Sequence, residues 1–154
     1  MTTERDAHER RDTLLAAGWE RVHVENSYYD GPVTGVADVE GRPHHFERLD
    51  LGGAEDGSRF LLWPTTDHAL RTEKEQFAMF QRWIAAGGAL PDPASAGPEH
   101  QRYVVIERML SAHRDAPDTA RVRRAEWASF DSAQYRPDGP GYLVRWGADA
   151  GSRS

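Results

Sequence analysis

The sequence predicts an α+β fold, a mainly antiparallel sheet with two or three helices packed on one face. Three observations predict it. Short stretches with apolar residues at alternate positions lie near both ends of the chain, as half-buried strands require. Two longer segments between them carry apolar residues at helical spacing, bounded by capping residues. The order strands, helices, strands matches an antiparallel sheet better than repeated parallel crossover units. The length of 154 residues suits one domain, placed at residues 1–146, with a small polar tail at 147–154 expected to be disordered.

The first element is a helix from about Thr3 to Ala17. Thr3 and Asp6 form a capping-box pattern, Leu14 and Leu15 supply an apolar edge, and Gly18 stands where a left-handed C-terminal cap belongs. Residues 4 to 12 are almost wholly charged, so packing is expected only from the last turns. In Arg21-Val22-His23-Val24-Glu25 the valines alternate, which puts them on one strand face and His23 on the other. Asn26 to Pro32 is a turn region closed by Asp30-Gly31-Pro32. Val33–Val39 and Pro43–Leu49 read as a hairpin across Glu40-Gly41. A two-residue turn would need positive φ at Glu40, so a three-residue loop is an equal alternative and the register stays open.

Residues 50–58 form a glycine-rich loop. Phe60–Trp63 is a short apolar strand ended by Pro64. Thr65, Thr66 and Asp67 offer N-caps for the clearest helix, which runs to about Ala86 with Leu70, Phe77, Phe80 and Ile84 on one stripe and Trp83 beside it. After a loop rich in proline, alanine and glycine, Pro98 suits the first turn of a helix to about His113. Tyr103, Ile106, Met109 and Leu110 would be its buried face. Strands at Val122–Phe130 and Tyr142–Trp146 complete the set.

Composition narrows the function. Cysteine is absent, which excludes disulfides, thiolate metal sites and cysteine nucleophiles. The charged N-terminus and the lack of a long apolar run point to a cytoplasmic chain without a membrane anchor. A net charge of −6 disfavours nucleic acid as a partner. Arg121, Arg123 and Arg124 make the one short basic cluster. It lacks any accompanying nucleic-acid motif, and a solvated strand edge explains it as well. No glycine pattern cradles a nucleotide, Ser27, Ser58 and Ser111 have no nucleophile-elbow context, and no spacing fixes a third metal ligand, so no cofactor is expected.

The residues with chemistry to offer gather between Tyr28 and Glu47. His45 and Glu47 share a strand face, and Phe46, the better core residue, would leave that face wetter. A carboxylate beside an imidazole can make a general base, and an exposed solvated pair is the plainer account. Neighbours such as Thr34 and Asp38 would join them in only one of the possible registers. His44 falls on the Phe46 side, either as a hydrogen-bonded core histidine or as a ligand contact. Tyr28 and Tyr29 beside Asp30 have the make-up of a recognition loop, while Asp-Gly also makes a turn on its own. The candidate catalytic set is therefore Asp30, His45 and Glu47, and the candidate ligand-binding set is Tyr28, Tyr29 and His44.

The pattern Trp19-x-x-Val22-x-Val24, Tyr28-Tyr29-Asp30-Gly31-Pro32, Gly35-Val36-Ala37 and Gly41-x-Pro43-His44-x-Phe46, continuing to Phe80-x-x-Trp83, resembles a group of small bacterial proteins with no assigned activity. The resemblance covers about half the chain. It implies a bacterial cytosolic protein of one domain and assigns no residue a role. Together these readings favour a binding protein, of accessory or immunity type, that recognises a protein partner or a small ligand through a polar-aromatic sheet surface. The alternative is a small acid–base enzyme, a hydrolase or isomerase, pairing a carboxylate with a histidine.

Overall fold

The computed structural model describes residues 4–29, 31–49, 59–86, 97–131, 135–136 and 139–148. Along the chain come α1 (Glu4–Ala16), β1 (Glu20–Tyr28), β2 (Pro32–Val39), β3 (Arg42–Arg48), β4 (Arg59–Pro64), α2 (Asp67–Ala86) and α3 (Gly97–Leu110). They are followed by β5 (Arg121–Ser129), the two-residue strands β6 (Tyr135–Arg136) and β7 (Gly139–Pro140), and β8 (Tyr142–Ala148). Helices and antiparallel strands are present as the sequence predicts, but the sheet is not open. It closes into a six-stranded barrel in the order β1-β2-β3-β4-β5-β8. Closure follows from β8, which pairs with β5 along its length and with β1 at Glu20↔Val144 and Arg21↔Leu143. A closed barrel has no free edge, so the basic residues of β5 are not edge protection; β5 is paired on both sides. β8 also runs past Trp146, because Gly147 and Ala148 pair with Arg124 and Arg123. Residues 149–154 of the expected tail lie outside the described residues.

The barrel interior is filled by inward side chains from every strand. Val22, Ala37, Val39, Phe46, Phe60, Leu62, Ala125 and Val144 are buried there, with Trp127, Tyr142 and Trp146 packed against them. The rings meet edge to face, Phe46 on Phe60 at 5.7 Å and 72°, Phe60 on Trp127 at 5.5 Å and 71°, as their quadrupoles favour. Gly35 makes room for this cluster. A Cβ there would lie 2.7 Å from the Phe46 ring and press on the Val24 carbonyl.

Val22 and Val24 do not share a face. β1 pairs Val22↔Ala37 and then Val24↔Val36, so His23 is an extra residue opposite a single step on β2. This β-bulge turns Val22 inward and Val24 outward, where Val24 meets Val36, Phe77 and Leu70 beneath α2. Bulges of this kind also supply the strand curvature that closure needs. The β2–β3 turn is the two-residue form, with Glu40 at φ 53° and Gly41 at φ 79° and Val39 paired to Arg42. The Gly41 N–H donates to the Glu20 carboxylate at 2.8 Å, tying the turn to β1.

The helices do not all lie on one side. α1 covers β8 through Ala7, Leu14 and Leu15, joined by Trp19 just past its end, against Leu143 and Phe130, so even its charged first half packs through Ala7. Gly18 closes α1 at φ 99°, with the Trp19 N–H bonded to the Leu14 carbonyl, the expected left-handed cap. α2 covers β1 and β2 and is capped by Thr66, whose hydroxyl accepts the Ala69 N–H at 3.0 Å. α3 packs on α2 through Ile106 and Leu110, with Tyr103 against Trp83. Met109 lies at the margin of that stripe and is 41% exposed, contrary to its predicted burial. α3 ends at Leu110, three residues short of His113, and the turn that follows sends Arg114 back toward α2.

Candidate functional site

Outward from Phe46 on β3 stands His45, paired to Val36 on β2 and Trp63 on β4. Its face was expected to be the wetter one. The residue is instead 2% exposed, because α2 and the turn after α3 lie over this part of the barrel. Trp63 stacks on the imidazole at 5.6 Å and 23°, and the Trp63 indole N–H donates to the His113 carbonyl at 2.8 Å, holding the post-α3 turn in place.

α2 brings Glu73 and Gln76 to the same spot, since they follow Leu70 and precede Phe77 on one helical stripe. Glu73 is fully buried. Arg114 grips it with two donors, Nε to Oε2 at 3.0 Å and Nη2 to Oε1 at 2.6 Å, the planar fork that suits guanidinium and carboxylate. Gln76 completes the network: its Oε1 accepts from Arg114 at 2.6 Å and its Nε2 donates to Glu107 at 2.7 Å. Arg114 Nη1 reaches Glu107 at 3.2 Å. Burial opposes the Arg114 charge, but the Glu73 and then Glu107 contacts outweigh it and push the guanidinium pKa up. A buried ion pair of this kind holds because both its charges and their remaining donors are met.

His45 sits at the edge of this network without being absorbed by it. Its Nδ1 lies 3.8 Å from Glu73 Oε2, within electrostatic reach but beyond a hydrogen bond. Burial pulls the imidazole pKa down to about 4; Glu73 opposes the shift, and His113, Arg114 and His44 add to it. The ring is therefore neutral at neutral pH. The Glu73 carboxylate favours the tautomer with its proton on Nδ1, which leaves Nε2 with a bare lone pair. Nε2 is buried and has no hydrogen-bond partner among the described residues.

A cavity of about 210 Å³ opens beside this ring, bounded by Asn26, Thr34, His45, Glu47, Trp63 and Arg114. A second of about 210 Å³ is bounded by Asn26, Tyr28, Gln76, Phe80 and Tyr103 among others. They share Asn26, and Gln76 links them through its bond to Arg114, so the two form a groove between the β1–β3 wall and the α2–α3 pair. Clefts between layers of secondary structure are common ligand positions.

The groove gathers only part of the expected set. His45 and Glu47 line the same cavity, and the register Thr34↔Glu47 brings Thr34 in with them. Asp38 is excluded, since it pairs with Pro43 and holds His23 at 2.8 Å. The carboxylate beside His45 is Glu73, not Glu47. Tyr28 borders the second cavity and is 52% exposed, while Tyr29, 71% exposed, borders neither. His44 lies on the opposite strand face, its Nδ1 2.8 Å from the Arg42 carbonyl, and takes no part in the groove. Asp30 lies outside the described residues. Glu73, Gln76, Glu107, Arg114, Asn26 and Trp63 were not anticipated. Glu73 carried a readable signal, a carboxylate inside the apolar stripe between Leu70 and Phe77; the others depend on tertiary placement.

Among the described residues no group of three or more histidines, cysteines, aspartates or glutamates is arranged to hold a metal. No described helix is long and apolar enough to cross a membrane. No protein-family model matches the chain, and comparison with curated proteins and with solved structures finds no match.

Proposed function

We propose that the chain is a small-ligand-binding protein whose groove between barrel and helices takes a compact polar molecule donating a hydrogen bond to His45 Nε2. The supporting observation is that buried, unpartnered nitrogen on a residue that lines the cavity, next to a network in which Glu73, Gln76 and Arg114 satisfy one another. Buried polar groups are nearly always paired, and a ligand that supplies the missing donor removes the cost. Proton-transfer catalysis is less well supported. An imidazole pulled down to about 4 is a weak base at neutral pH, and the nearest carboxylate is held by Arg114. A bacterial, cytosolic setting for such a binding protein is part of this proposal, and its support is the resemblance noted in the sequence. A protein partner is the second reading, favoured by Tyr29 and Leu49, exposed by 71% and 39%.

The test is saturation-transfer NMR at neutral pH with small neutral donors (phenols, primary amides, alcohols) on the wild-type chain and on His45→Phe. Some donors should bind the wild type, shift the His45 imidazole nitrogens and lose their signal in His45→Phe, with near-ultraviolet circular dichroism confirming the fold. Equal binding to both chains, or no binding by any donor, would refute the groove as the site.

A further inference from the structure

A different cavity, at the end of the barrel where β1 meets β2, has another chemistry. It measures about 350 Å³ and is bounded by Tyr28, Pro32, Trp127, Ser129, Asp131 and Tyr142. Trp127 and Tyr142 meet at 5.5 Å with their planes 89° apart, giving two aromatic walls at a right angle. Tyr28, half exposed on the rim, supplies a third. The face of an aromatic ring carries negative potential, and such walls set around a recess attract cations that shed water easily.

The carboxylates near this recess have the matching sign, against one buried guanidinium, Arg48, at the same end. Asp131 borders it directly. Behind Tyr142, the buried Glu25 carboxylate accepts the phenol O–H at 2.7 Å, a charge-assisted bond that pushes electron density back into the ring. No lysine or arginine borders the cavity among the described residues. Arg48, at the same end, is buried and donates to the Tyr29 carbonyl at 2.7 Å. The net charge of −6 adds a long-range pull on cations.

We infer that this recess binds an organic cation, an alkylated ammonium group held between Trp127, Tyr142 and Tyr28 with Asp131 as counter-charge. A quaternary ammonium suits it better than a bare ammonium, because its methyl groups fill aromatic walls and it gives up hydration at less cost. The site shares Tyr28 with the rim of the groove but none of the residues around His45, and it does not rest on the groove reading.

The experiment uses choline and its uncharged isostere 3,3-dimethyl-1-butanol, titrated against the full chain and followed by tryptophan fluorescence and N-methyl saturation transfer. Choline should bind in the millimolar range, and the isostere about tenfold more weakly, since only the charge differs. Tyr28→Ala, a rim change that leaves the interior intact, and Asp131→Asn should each weaken choline several-fold. His45→Gln should leave choline binding unchanged, which separates this site from the groove. Sedimentation with phosphatidylcholine vesicles tells a free cation from a lipid headgroup; either result with choline binding supports the cation site. Equal affinity for choline and the isostere, insensitivity to Tyr28→Ala, or no choline response into the tens of millimolar overturns it.

Discussion

Phe46 and His45 are neighbours on β3, exposed by 1% and 2%, yet they are buried by different physics. Phe46 points into the barrel, where it meets Phe60, Trp127 and Trp146 and no polar group is required. His45 points outward under α2, where Glu73 and Gln76 are buried and are met by the half-buried Arg114 and, at the surface, by Glu107. The interior is stabilised by area and dispersion, spread over many contacts. The seam is stabilised by mutual pairing, so one lost partner strands the rest. Apolar burial fixes the barrel, and the paired polar layer sets how the helices sit on it.

Cutting into each region should show the contrast. The largest effect is expected inside. Phe46→Ala removes a ring from the centre of the aromatic cluster and should cost about 4 kcal/mol, read as a shift in urea midpoint with little change in slope. A loss below about 1 kcal/mol would mean that the interior repacks freely. The seam comes next. Glu73→Ala leaves Arg114 facing a buried gap and should cost about 3 kcal/mol. The decisive comparison is the double change Glu73→Leu with Arg114→Met, which should recover most of that loss because neither charge is then left alone. If the double variant is no better than Glu73→Ala, the cost comes from lost packing rather than from an orphaned charge.

The same contrast governs what could be read from the sequence. The interior was partly legible: Phe46 stood out as the core residue of β3, Phe60–Trp63 as an apolar strand, and the capping signals at Thr66 and Gly18 marked real helix ends. Alternation failed where the backbone departs from it. The bulge at His23 leaves no mark in Arg21–Glu25, so Val24 was assigned to the wrong face. Closure was hidden as well, because it depends on β8 finding β1 across most of the chain. For the seam, His45 was picked out but read as solvent-facing, since its cover comes from α2 and from a turn after α3. Sequence spacing fixes which residues share a face, not which later element comes to cover it.

The pH response sharpens the seam further. His45 has a folded pKa of about 4 against an ordinary value of 6.5. Above 6.5 both folded and unfolded chains hold it neutral, and it contributes no pH dependence. As pH falls below 6.5 the unfolded chain takes up a proton that the folded chain refuses until near 4, so stability drops across that window and levels off beneath it. Wild type should lose about 3 kcal/mol more than His45→Gln between neutral pH and about 4, measured by denaturant unfolding of both at each pH. Parallel curves for the two chains would place the imidazole in contact with water.

Tyr28→Ala carries the smallest expected effect on folding and tests the comparison from outside both regions. Tyr28 is 52% exposed at the end of β1, where it borders the groove on one side and the barrel mouth on the other. Neither interior packing nor the seam network depends on it, so its loss should change stability by less than about 0.5 kcal/mol. Thermal and urea unfolding should overlay those of the wild type. A cost above about 1 kcal/mol would mean that the ring acts as a third structural layer, closing the barrel end rather than standing free for a ligand. An unchanged fold with altered ligand response would instead separate what holds this protein together from what it presents to others.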